Sequence, residues 1–123
     1  MKFTLESGGG QNVIRSYSRE EIRVGAQSVR SSCILTADSL LTDWGPETLD
    51  QLAIEHLEPI FALQPALVLF GTGPQLRFAP SAVRAALLER GIGVESMDLG
   101  AACRTYNVLV QEDRRVAAVL FLR

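Results

Sequence analysis

A chain of 123 residues with 47% hydrophobic and 21% charged side chains has the balance of an ordinary globular protein, and residues 1–123 are read as a single domain. Net charge is −2 and the arginines are scattered, from Arg15, Arg19, Arg23 and Arg30 through Arg84 and Arg90 to Arg114 and Arg115. Phosphate neutralisation needs a basic face, so nucleic acid is not expected as a partner.

No run reaches the ~20 apolar residues of a membrane span. No apolar stretch precedes the first glycines either, so the expectation is a soluble, cytoplasmic protein without membrane insertion. Two residue counts narrow the chemistry. Lys2 is the only lysine and His56 the only histidine. Schiff-base chemistry, a histidine metal cluster and two-histidine acid–base catalysis are therefore unexpected. Cys33 and Cys103 are read as free thiols, and no cofactor or metal is expected.

In chain order, the glycine-rich stretch Ser7-Gly8-Gly9-Gly10-Gln11-Asn12 reads as a loop, since it lacks the strand-to-helix context of a phosphate-binding turn. A strand is predicted over 13–17. Ser18-Arg19-Glu20-Glu21 has capping-box spacing, but Gly25 follows too soon for a helix, so Ile22 and Val24 are read as strand. Another strand is predicted over 29–35, with Cys33 and Leu35 facing one way. Trp44 sits at a bend as core filler or as the wall of a pocket.

Thr48 is expected to open a helix, because Leu49, Leu52, Ala53 and His56 recur at i, i+3, i+4 and i+7. Pro59 should start a further short helical turn, and Pro65 should end it. The apolar run 66–70 reads as a strand buried on both faces of a parallel sheet. Ser81 is expected to cap a helix that stops at Gly91, and 94–98 reads as the next strand, completing a βαβ unit. A last helix carries Leu99, Cys103, Tyr106 and Val110 on one face, and 116–122 reads as a central strand.

Ligands of open α/β sheets bind beyond the carboxyl ends of parallel strands. Here those ends are Gly71-Thr72-Gly73 and Asp98-Leu99-Gly100. If the strands are neighbours, Thr72, Asp98, Cys103, Arg104 and Asn107 surround one cleft. A dinucleotide fingerprint is not supported: position 76 is Leu, and Pro74 and Pro80 delay the helix. Asp98 is the natural N-cap of the last helix. Cys103 is either a thiol activated near a helix start or a buried structural one. Arg104 and Asn107 share a helical face that could hold a carboxylate or a peptide backbone, or could be ordinary surface.

The order Phe70-Gly71-Thr72-Gly73, Val94-Glu95-Ser96-Met97-Asp98, Ala101-Ala102-Cys103-Arg104-Thr105-Tyr106-Asn107 and Arg115-Val116-Ala117-Ala118, with Tyr17, Val24 and Trp44 upstream, resembles the Mth-type domain family. The resemblance spans nearly the whole chain. It implies a three-layer α/β fold, with a mixed five-stranded central sheet, helices on both sides and an extra β-rich N-terminal part. It implies no reaction. The best-characterised members of that family act by binding other proteins during assembly of a respiratory complex.

Gly71, Gly73, Asp98, Ala102, Cys103, Tyr106 and Asn107 stand at positions the family shares. Adding Thr72 and Arg104 from the topological argument, and leaving out Ala102, gives the candidate binding set. Two functions follow as expectations. One is a non-catalytic protein-binding module, an assembly factor or adaptor, with an apolar patch or groove near the site loops and possible self-association. The other is a small-molecule binder or enzyme using the cleft, with Asp98 as acid–base group and Cys103 as nucleophile. The surface reading expects Asn107→Ala to leave stability nearly unchanged and Gly73→Val to unfold the domain.

Overall fold

The computed structural model describes the backbone of residues 2–5 and all of residues 10–123. Half of the glycine-rich loop, Ser7-Gly8-Gly9, lies outside the described residues. The strands are β1 (Lys2–Leu5), β2 (Ile14–Tyr17), β3 (Ile22–Val24), β4 (Gln27–Val29), β5 (Cys33–Leu35), β6 (Ser39–Thr42), β7 (Leu67–Thr72), β8 (Gly93–Met97) and β9 (Val116–Phe121). The helices are α1 (Glu58–Leu63), α2 (Ser81–Glu89) and α3 (Leu99–Gln111).

The central sheet has the order β1-β6-β5-β9-β7-β8, and β2-β3-β4 forms a separate three-stranded sheet. Strands β9, β7 and β8 run parallel, whereas β5, β6 and β1 are joined antiparallel. The sheet is thus mixed, and β1 adds a sixth strand at its edge to the five that the family resemblance implies. The apolar sequences of β7 and β9 follow from their central place, where both faces of a strand are covered.

Period-two alternation sorts the side chains into two cores. One holds Cys33, Leu35, Leu69, Ala118 and Leu120 against α3 and against Ile14, Ile22, Val24 and Val29 of the small sheet. The other holds Ile34, Leu41, Val68, Phe70, Val119 and Phe121 against α1 and α2. Helices on both faces of the mixed sheet make the three expected layers.

Three local expectations need correction. Residues 29–35 are not one strand: the chain leaves the small sheet after Val29 and enters the central one at Cys33, while Ser32 Oγ donates to the Pro46 carbonyl. The helix expected from Thr48 is two 3₁₀ turns, Leu49–Gln51 and Ile54–His56, with Leu52 and Ala53 extended between them. A repeat of three and a repeat of 3.6 are indistinguishable over so few residues. The His56 ring also accepts the Ala53 N–H at 2.9 Å, a local side-chain bond that competes with helix propagation. Finally, Ser81 does not cap α2: Pro80 occupies that position, and its carbonyl accepts from Val83 and Arg84.

Candidate functional site

Gly71 of β7 lies in register with Met97 of β8, so both strands end on one edge of the sheet. The two loops that follow are tied together. Leu99 N–H donates to the Gly73 carbonyl at 2.8 Å. The buried Thr72 hydroxyl accepts from Arg77 N–H at 3.0 Å, and the carbonyls of Gln75 and Met97 lie 2.7 and 3.1 Å away within reach of its proton.

Two glycines make this junction possible. Gly73 has φ +80°, and a Cβ there would lie 3.2 Å from the backbone of Arg123. At Gly71 a Cβ would meet Leu120 at 2.8 Å and Ala102 at 3.1 Å, so the missing side chain is what lets α3 lie close over β7. Asp98 starts α3 as expected, its carboxylate accepting from Ala101 N–H at 2.9 Å.

Beside this junction is a cleft of about 370 Å³, with Gly73, Pro74 and Asp98 on one side and Tyr17, Arg19 and Arg104 on the other. Tyr17 is at the end of β2 and lies over the first turn of α3. A Cβ at Gly100 would be only 2.9 Å from its hydroxyl oxygen. That oxygen accepts from Arg104 Nη1 at 2.6 Å. Beyond it, Ser18 Oγ accepts from Glu20 and Glu21 N–H at 3.1 and 3.2 Å, a local turn that brings Arg19 to the rim.

Of the candidate set, Gly73, Asp98 and Arg104 line the cleft. Gly71 and Thr72 are buried behind it. Cys103 and Tyr106 point into the core instead, with Tyr106 donating to the Asn12 carbonyl at 2.9 Å. Asn107 does not pair with Arg104 on a free surface. Its Oδ1 accepts from Ile14 N–H and its Nδ2 donates to the Ile14 carbonyl, both at 2.9 Å. The amide acts as one more strand partner for β2, holding the small sheet to α3.

Burial also decides the thiol chemistry. Desolvation pushes Cys103 up to about 12 against the counteracting pull of Arg104. Cys33 is pushed to about 12 by burial and then by the proximity of Cys103. Tyr106 is raised too, first by burial, then by Asp38 and by Cys33. At neutral pH both thiols are protonated and inside. What faces the cleft is a phenol, two guanidiniums and a carboxylate already engaged as a cap.

Sequence reasoning left Arg19 out of the site, named Gly100 only as part of the strand end that begins at Asp98, and used Tyr17 only for the resemblance. One signal was available. Glycine in a first helical turn is costly unless something needs the space, and here Tyr17 needs it.

The fold is a three-layer α/β domain of the Mth type, the fold of a solved Bordetella pertussis protein described as a Mth938-like domain. Residues 14–121 match a family described as "Protein of unknown function (DUF498/DUF598)", and the chain belongs to that family. It is 31% identical over 110 residues to NADH dehydrogenase (ubiquinone) 1 alpha subcomplex assembly factor 3 of Danio rerio, covering 88% of this chain and 63% of that protein. The chain thus spans less than two thirds of this relative.

Among solved structures, a Xanthomonas campestris protein studied by NMR is 37% identical with a TM-score of 0.81, over 99% of this chain and 86% of that one. A Bartonella henselae protein described as an outer membrane protein is 33% identical with a TM-score of 0.75, over 91% and 95%. Among the described residues no helix is long and apolar enough to cross a membrane.

Proposed function

We propose that this chain is a non-catalytic protein-binding module of the assembly-factor or adaptor kind, which meets its partner at the edge cleft. The observation that carries this reading is the division of labour at the cleft. Tyr17, Arg19 and Arg104 are presented to solvent, whereas Thr72, Cys103, Tyr106 and Asn107 spend their polar groups or their volume inside the fold. Within the candidate set, Gly71, Thr72 and Gly73 shape the floor, and Asp98 and Arg104 line it. Cys103, Tyr106 and Asn107 hold the wall in place. The name of the Danio rerio relative, an assembly factor, supports the same reading.

Two exposed side chains add apolar surface beside the Gly73 turn, Leu76 at 54% and Phe78 at 66% exposure. A second reading, a small-molecule binder or enzyme, is favoured by the volume of the cleft, about 370 Å³, which falls within the range of ligand pockets. Cys103 would need to be unburied to serve as its nucleophile.

Native mass spectrometry of the untagged protein, drawn gently from its own cell, separates the two. A stoichiometric protein companion, lost in Arg104→Glu, supports the binding module, and a second copy of the chain would make that companion itself. A small added mass lost in the same variant favours the ligand site. We place the protein in the cytoplasm; recovery in a washed membrane fraction, in line with the description of the Bartonella relative, would overturn that placement.

A further inference from the structure

A groove of about 650 Å³, separate from the edge cleft, lies on the α1 face of the sheet, floored by Leu41, Trp44 and Leu63 and rimmed by Glu55, His56 and Glu58. Its walls are already fixed. The Trp44 indole N–H donates to the His56 carbonyl at 3.0 Å, and the ring packs on Phe121 at 6.0 Å and edge-on against His56 at 6.2 Å. The His56 ring is held in turn by the Ala53 N–H at 2.9 Å. A groove that does not have to form on binding loses little entropy when filled, and tryptophan is among the residues that anchor protein interfaces.

The rim gives the groove a sign. Glu55 and Glu58 are exposed, and among the described residues the ion pairs engage Glu21 and Asp50 instead. An apolar floor with two unpaired carboxylates at its edge complements an amphipathic segment that carries lysine or arginine beside its apolar stripe. We propose that this groove docks a basic amphipathic segment of a partner protein, with an apolar side chain on the Trp44–Leu63 floor and cations against Glu55 and Glu58. It does so independently of the edge cleft, on the other face of the sheet.

Trp44 is the only tryptophan of the chain, so its fluorescence reports on this groove. The probes are a leucine–lysine amphipathic helical peptide and its leucine–glutamate counterpart, added to the intact protein. The leucine–lysine peptide is expected to shift Trp44 emission saturably, and the leucine–glutamate peptide is not. In Glu55→Lys/Glu58→Lys, whose circular dichroism should match the parent, affinity for the basic peptide should fall about tenfold or more and the preference should reverse. Equal response to both peptides, no emission change, or an unaltered preference in the double variant would each overturn the proposal. Concentration-dependent self-association abolished by the double variant would overturn it too, by making a second copy the occupant.

Discussion

Asn107→Ala tests whether a residue of the candidate set serves the fold. Its amide makes two bonds to the backbone of Ile14, both at 2.9 Å and closing a sequence separation of 93 residues. Each neutral bond contributes about 1 kcal/mol net. Truncation also leaves the Ile14 N–H and carbonyl without a partner in a half-buried seam, which brings the expected cost to about 2–3 kcal/mol. For a domain of 123 residues, 1 kcal/mol corresponds to about 4 °C, so Tm should fall by about 8–12 °C. This is the opposite of what a surface reading of Asn107 expects.

Circular dichroism melts and urea midpoints measure the loss, and hydrogen exchange locates it. Amides of β2 and β3 should lose protection before those of β7 and β9, because the amide holds only the small sheet. Asn107→Asp keeps the acceptor but sets a carboxylate against the Ile14 carbonyl, so it should be at least as damaging. A Tm within about 2 °C of the parent in Asn107→Ala would refute the clamp.

The other expectations are smaller in scope. Gly73→Val places a β-branched residue at φ +80° with its Cβ 3.2 Å from the Arg123 backbone, and should cost about 3 kcal/mol or more in urea unfolding; a variant as stable as the parent would show that the turn can rearrange. Gly100→Ala gains about 1 kcal/mol of helix propensity but puts a Cβ 2.9 Å from the Tyr17 hydroxyl oxygen. Tm should therefore change little while the Tyr17 ring resonances move, and unmoved resonances would dismiss the wall. Thiol chemistry supplies a pH test. Unfolded thiols ionise near 9.0, whereas folded Cys33 and Cys103 keep their protons to about 12. Between those values the unfolded chain binds fewer protons, so stability should fall as pH rises above 9, by up to about 1.4 kcal/mol per pH unit for each thiol. Cys33→Ala/Cys103→Ala should flatten that slope, and neither native thiol should react with iodoacetamide at neutral pH.

Legibility in the sequence followed the range of the interaction. The runs that became β7 and β9 are apolar throughout, and the stripe of Leu99, Cys103, Tyr106 and Val110 could sit only on a helix packed over them. Asp98 and Gly91 marked helix ends through local backbone chemistry. Between Thr48 and His56 local signals were ambiguous: the repeat suited either helix, and in the fold the His56 imidazole accepts the Ala53 N–H between two 3₁₀ turns. The passage from β4 to β5 was unreadable for a different reason. Val29 and Cys33 both belong to strands, and only the tertiary partner says that they are in different sheets.

The same logic explains why the candidate set mixes floor and frame. Thr72, Cys103, Tyr106 and Asn107 carry groups that invite a functional reading, yet an α/β fold with a second small sheet has its own polar work to do. The loop after β7 must be tied, and β2 must be hung on α3. Thr72 and Asn107 do these jobs through backbone bonds that any partner would have to compete with. The side chains that the fold leaves free are ordinary in type and unusual in placement, such as Tyr17 across Gly100 and the two glutamates beside Trp44. Their neighbourhoods are built from distant parts of the chain. A surface of this kind is found by asking which side chains the fold has not already used.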